Sequence, residues 1–167
     1  PMVTEINAMS RAGRLRISHL IHLRAEICSQ TLLDELDEFT PGDAIGLVSL
    51  MDHTPGQRQF RDLSKLERYV RGKGGMDAAG FSAHVARLTD LRARLGDRHE
   101  QGAVRAARRL GATLASHDDT TREQVAASAA HGIRLAEFPT TREAAQACRD
   151  HGIATIMGGP NLIRGGS

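Results

Sequence analysis

A repeat near the carboxyl end of the chain limits what it can fold into. Two motifs, Thr-Thr-Arg-Glu and His-Gly-Ile, each occur twice at an interval of twenty residues, at positions 120–123 and 140–143 and at positions 131–133 and 151–153. Thr120 and Thr140 each precede a glutamate by three residues, which is the capping-box pattern at the start of a helix. An alanine-rich segment follows each threonine and ends at Gly132 or Gly152, which is typical of a helix C-terminus. Short apolar runs come next, so the sequence predicts two consecutive helix–strand units.

The same alternation extends over the rest of the chain. Apolar runs predict five strands, at residues 17–26, 44–51, 112–117, 133–138 and 153–158. A short helix is expected at 31–39, and residues 54–110 are predicted to form a long helical insertion whose last helix begins at Asp97. Strict alternation of helices and strands indicates an α/β fold with parallel strands. An open doubly wound sheet and part of a (β/α)₈ barrel both fit this pattern, although no G-x-G-x-x-G motif follows any strand.

Composition bounds the class of protein. The 167 residues suit a single domain spanning 1–167, and the formal charge of +2 with 3% aromatic residues argues against nucleic-acid binding. We expect no membrane span and no signal peptide, and two cysteines without CxxC spacing suggest a reduced, cytoplasmic location.

Polar side chains collect where the predicted strands end. Glu26, His53, His117 and Glu137 lie at or just after the carboxyl ends of four of the strands, and the carboxyl ends of parallel strands share one rim. Two histidines and a carboxylate at that rim are suitable ligands for a divalent metal ion, although histidines at strand ends also serve as hydrogen-bonded structural residues. Asp118 could orient His117 from outside the ligand set. Glu137, in the second copy of the repeat, is expected to line the pocket and contact the substrate rather than the metal.

Two loops offer groups that bind phosphate. The first contains Gln57 and Arg58, and the second, near the carboxyl end, contains Asn161 and Arg164. An ordinary loop with a solvated arginine is the alternative for each. The remaining histidines are predicted to lie away from the rim. His19 and His22, within the first strand, are expected to have packing or support roles. The histidines on helices or at helix ends are expected at the surface, namely His84, His99, His131 and His151.

Five motifs in order resemble a known family: HLRAE (22–26), VSLMDHTPGQRQF (48–60), LASHDD (114–119), AEFPTT (136–141) and IMGGPNLIRGGS (156–167). They are similar to the alpha-D-ribose 1-methylphosphonate 5-triphosphate diphosphatases, which belong to the amidohydrolase superfamily and serve phosphonate degradation by the carbon–phosphorus lyase pathway. The resemblance implies a zinc-dependent (β/α)₈ barrel, with one or two ions, that hydrolyses the ribose triphosphate to the 5-phosphate and diphosphate. It also implies that Glu26, His53 and His117 are metal ligands.

The resemblance also implies that parts of the family's site are missing. Family members begin with a strand that carries a histidine motif and end with a strand whose aspartate is the general base, and neither is present. We therefore expect an internal fragment covering strands three to seven, with little or no activity by itself and with exposed strand edges through which copies could associate. The alternatives are another amidohydrolase, such as a cyclic amidohydrolase or a deaminase, and a non-catalytic metal- or phosphate-binding remnant.

Overall fold

A computed structural model describes residues 2–74, 77–159 and 163. Its strands are β1 (Ile21–Glu26), β2 (Ile45–Met51), β3 (Thr113–His117), β4 (Leu135–Glu137) and β5 (Ala154–Ile156). Its α-helices are α1 (Met2–Arg11), α2 (Leu32–Asp37), α3 (Leu63–Gly74), α4 (Ala78–Leu110), α5 (Arg122–Ala130) and α6 (Arg142–Asp150). Two short 3₁₀ helices occupy Pro41–Asp43 and Arg58–Phe60.

The five strands form one parallel sheet in the order β1-β2-β3-β4-β5, which is also their order along the chain. The predicted α/β class is therefore confirmed. A doubly wound sheet reverses its strand order at a switch point, whereas consecutive strands of a (β/α)₈ barrel stay in sequence. The observed order is compatible with part of such a barrel.

The two faces of the sheet differ in character. Side chains alternate between faces along each strand, and residues paired in register share a face. On the face that packs against the helices, Ala25, Val48, Leu50 and Ala136 are buried in the main hydrophobic cluster. The opposite face carries His22, Arg24 and Glu26 from β1, with Ser49 of β2 in register with Arg24. The core thus lies on one side of the sheet, and polar groups gather on the other.

The first strand is shorter than the sequence predicts. Residues 17–20 were expected to belong to it, but β1 begins at Ile21, which pairs with Ile45 at the start of β2. Because β2 is the neighbour of β1 and begins opposite Ile21, residues 17–20 have no strand with which to pair. Ile17 and Leu20 are 70% and 73% exposed.

The predicted helix start at Asp97 is wrong, because α4 runs without a break through residues 78–110. The N-cap is Asp77, whose carboxylate accepts a hydrogen bond from the backbone N–H of Gly80 at 2.7 Å. The carboxylate of Asp97 instead accepts a hydrogen bond from Arg92 at 3.1 Å. The helix ends at Gly111, where φ is +67°.

Both helices of the repeat begin one residue later than predicted. The N-caps are Thr121 and Thr141, whose hydroxyls accept hydrogen bonds from the backbone N–H groups of Gln124 and Ala144. Thr120 and Thr140 are unavailable as caps because their hydroxyls are 2.6 Å apart and hydrogen-bond to each other. The repeated threonine pair therefore both caps the helices and ties the two units together. The predicted ends are confirmed, since Gly132 and Gly152 have φ values of +81° and +66°.

None of the helices in the described parts of the chain combines the length and apolar character needed to cross a bilayer. The outer strand β5 is solvent-exposed along its length, and the neighbouring Met157 is 47% exposed.

Candidate functional site

A polar cavity of about 490 Å³ lies at the carboxyl ends of β1 to β4. Its lining consists of His22, Arg24, His53, Gln59, His117, Asp118, Glu137 and Phe138. The strand order explains this composition, because parallel strands bring the residues at their carboxyl ends to one rim. Glu137, which was expected to contact the substrate, lines the cavity together with Phe138.

His53 is held from one side by Glu26. One carboxylate oxygen of Glu26 contacts the ring Nδ1 of His53, and the other accepts a hydrogen bond from the backbone N–H of His53 at 3.2 Å. The hydrogen bond to this carboxylate raises the pKa of His53, although partial burial opposes the rise. The ring orientation of His53 is therefore set by a residue on the neighbouring strand.

His117 has the same arrangement on the next pair of strands. Its Nδ1 lies 3.0 Å from a carboxylate oxygen of Glu137, a residue that is 6% exposed. Its Nε2 lies 3.5 Å from a carboxylate oxygen of Asp118. The rings of His117 and His53 are 6.0 Å apart, and Phe138 packs edge-on against His117 with the ring centroids 5.4 Å apart.

Three side chains converge closely enough to share a metal ion. One ligand atom from each of His53, His117 and Asp118 lies within 4.8 Å of the others. Asp118 reaches this position through a left-handed backbone conformation with φ of +55°. Its burial raises its pKa, and the opposing attraction of His117 and His53 reduces that rise.

The donor chemistry of this cluster fits a divalent metal such as zinc. Zinc binds imidazole nitrogen and carboxylate oxygen, and its histidine ligands commonly donate their second ring N–H to a carboxylate. His53 and His117 each place Nδ1 against a glutamate, which in the Nδ1–H tautomer leaves Nε2 as the free electron-pair donor. The geometry groups Asp118 with the histidines and places Glu26 behind His53, whereas the sequence predicted Glu26 as a ligand and Asp118 as a supporting residue.

A second acidic cluster lies beneath His53. Glu26, Cys28 and Asp52 also bring their ligand atoms within 4.8 Å of one another. However, the carboxylate of Asp52 already accepts hydrogen bonds from the hydroxyl of Thr54 at 2.6 Å and from Nε of Arg92 at 2.8 Å. Burial works to raise the pKa of Asp52, but the bonds from Thr54 and the charge of Arg92 outweigh it and the pKa is lowered. Because Asp52 is engaged by Thr54 and Arg92, and Glu26 by His53, these carboxylates support neighbouring side chains rather than stand free as metal ligands.

Arg58 lies beside the cavity and is paired with a carboxylate. Its guanidinium donates to the backbone oxygen of His117 at 2.8 Å and to Asp119 at 2.5 Å. The side chains of Arg58 and Asp119 are 14% and 1% exposed, so the ion pair is largely buried. Gln57 is not among the lining residues, and Gln59 occupies that position instead. Asn161 and Arg164, the other predicted phosphate contacts, lie outside the described residues.

The positions predicted for three histidines were wrong, and one arginine of the cavity was not predicted. His22 and Arg24 line the cavity, and the signal was their spacing, since positions 22, 24 and 26 fall on one face of a strand. His19 precedes β1 and is exposed. His99 was predicted at the surface but is 4% exposed, and its Nδ1 lies 2.9 Å from the backbone oxygen of Ile27, the residue that follows β1.

Comparison with known proteins confirms the resemblance seen in the motifs. The chain is 39% identical, over 166 residues, to the alpha-D-ribose 1-methylphosphonate 5-triphosphate diphosphatase of Escherichia coli (strain K12). The aligned region covers 99% of this chain and 44% of the relative, so the chain spans less than half the length of that protein. No family model matches the sequence, and no solved structure matches it.

Proposed function

We propose that this chain contributes to metal-dependent hydrolysis of alpha-D-ribose 1-methylphosphonate 5-triphosphate, giving the 5-phosphate and diphosphate. The observation that carries the proposal is that the residues lining the polar cavity lie in the sequence motifs that resemble the diphosphatases. The identity of 39% to a diphosphatase extends along nearly the whole chain. The cavity residues His53, His117 and Glu137 fall within three of the motifs that resemble this family.

The metal ligands in this proposal are His53, His117 and Asp118. Their three donor atoms lie within 4.8 Å of one another, and two imidazoles with one carboxylate suit zinc. Glu26 and Glu137 would then act as orienting carboxylates, each holding the Nδ1 side of one histidine. This arrangement exchanges the roles that the sequence suggested for Glu26 and Asp118.

A divalent ion held by His53, His117 and Asp118 would supply a water of lowered pKa and would polarise a phosphoryl oxygen. The chain's own residues have three tasks around it. The two glutamates fix the rings of His53 and His117, Asp118 contributes negative charge at the rim, and Phe138 shields one side of His117 from water. His53, His117, Asp118 and Phe138 all line the cavity of about 490 Å³, so a phosphate chain that enters the cavity meets these side chains.

Zinc binding by the purified chain tests the proposed ligand set. Titration calorimetry is expected to show one zinc site whose affinity falls at least about tenfold in His53→Ala and in His117→Ala. His151→Ala is the matched control, because His151 is an exposed histidine at the end of α6. Equal zinc binding by wild type and both cavity variants would contradict a metal role and favour a structural one.

Turnover is tested separately from metal binding. We propose that the isolated chain hydrolyses little of the triphosphate even with zinc, because it aligns with only 44% of the diphosphatase that it resembles. Diphosphate release is measured with and without added zinc. Zinc-dependent release at rates typical of enzymes would support the hydrolase function and refute the expected inactivity.

A further inference from the structure

Arg24 stands out among the cationic residues around the cavity. It lies on β1 between His22 and Glu26, on the polar face of the sheet, and it lines the cavity together with His53. Its side chain is exposed. The position therefore places a guanidinium group at the open side of the proposed reaction site.

The other two arginines near the site are already engaged. Arg58 is paired with the buried carboxylate of Asp119, and Arg92 with the buried carboxylate of Asp52. Arg24 donates one hydrogen bond, from Nε to the thioether sulfur of Met51 at 3.0 Å, and a thioether is a weak, uncharged acceptor. Within residues 2–74 and 77–159, no carboxylate forms an ion pair with Arg24. Its charge is therefore available to a ligand.

We propose that Arg24 is the anion-binding residue of this cavity and receives the phosphate chain of the substrate. A guanidinium presents a planar fork of donors that matches two phosphate oxygens, and Nε anchored on Met51 leaves the terminal nitrogens free. His22 lies on the same strand face, with its Nε2 2.6 Å from the hydroxyl of Ser49, and adds a second polar group beside Arg24.

This assignment differs from the sequence prediction, which gave the phosphate contacts to Arg58 and to Arg164, a residue outside the described part of the chain. The identification of the anion as a triphosphate rests on the proposed function, whereas anion binding at Arg24 does not. Because Arg58 must neutralise Asp119, a phosphate at Arg58 would have to displace a buried carboxylate. Arg24 needs no such exchange.

Calorimetry with inorganic diphosphate in the presence of EDTA tests the inference without metal. Wild type is expected to bind, and Arg24→Gln is expected to lose at least about tenfold in affinity, because hydrogen bonds from a guanidinium to phosphate are charge-assisted and about twice as strong as neutral ones. Arg24→Lys, which keeps the charge and loses the fork, is expected to fall in between. Arg87→Gln serves as the control, because Arg87 is an exposed residue of α4 that does not line the cavity. This variant should bind diphosphate within about twofold of wild type.

Equal affinity of Arg24→Gln and wild type, or no binding by wild type, would overturn the inference. Thermal melts followed by circular dichroism verify folding, and an unfolded Arg24→Gln leaves Arg24→Lys as the deciding variant. Zinc titration of the same variants separates the two proposals. Intact zinc binding together with diphosphate binding that does not depend on Arg24 refutes the Arg24 inference alone. Absent zinc binding together with Arg24-dependent diphosphate binding refutes the metal-dependent function alone.

Discussion

Replacing Arg58 should destabilise the protein far more than replacing an exposed arginine. In Arg58→Met the buried carboxylate of Asp119 keeps one described side-chain partner, the hydroxyl of Ser128 at 3.3 Å. The side chain of Asp119 is 1% exposed, so water cannot replace the guanidinium. Arginine and methionine both carry a Cβ, so the left-handed φ of +48° at residue 58 adds no new backbone strain.

Removing one partner of a buried ion pair costs about 3–5 kcal/mol. Each kcal/mol lowers the melting temperature of a domain of this size by about 2–4 °C, so the expected loss is about 6–20 °C. The control is Arg94→Met, since Arg94 pairs with Asp90 on the surface of α4 and both side chains are 59% exposed. That variant should lose about 2 °C at most, because exposed helix pairs contribute about 0.3–0.5 kcal/mol.

Thermal unfolding followed by circular dichroism measures all the variants. The double variant Arg58→Met with Asp119→Leu should recover most of the loss, because an apolar pair leaves no buried charge unpaired. If Arg58→Met melts within about 2 °C of wild type, the buried carboxylate of Asp119 does not depend on Arg58, and Arg58 is not committed to this ion pair.

Two further predictions concern titrating groups. Burial raises the pKa of Cys28 to about 12 and that of Cys148 to about 11, so both thiols remain protonated at pH 8. Both should therefore react with iodoacetamide much more slowly in the native protein than in urea. Equal reaction rates in mass-spectrometric time courses would contradict this prediction. Because the pKa of Asp52 is lowered, its stabilising contribution is present above its unfolded pKa of about 3.9 and is lost as the pH falls through the folded value. The difference in urea midpoint between wild type and Asp52→Asn should therefore be constant near neutral pH and shrink below about pH 4, and an undiminished difference at pH 3 would rule out this linkage.

Local signals in the sequence were sufficient for the general architecture. The strand-and-helix alternation, the ends of the repeated helices at Gly132 and Gly152, and the parallel sheet were all predicted correctly, because periodicity and left-handed glycines act over a few residues. Errors occurred where two local signals competed. Asp97 resembles a helix start, yet its carboxylate binds Arg92 and the helix continues, and Thr120 resembles a cap, yet its hydroxyl binds Thr140.

The composition of the rim followed from the sequence alone, since the ends of parallel strands meet whatever their exact packing. His53, His117 and Glu137 could therefore be assigned to one site from their positions after the strands. The pairing of charges across the rim required the tertiary structure, because an ion pair depends on distances between residues far apart in the chain. Asp119, which follows β3, forms an ion pair with Arg58, which follows β2. This long-range contact leaves Arg24 as the available cation among the described arginines that border the cavity.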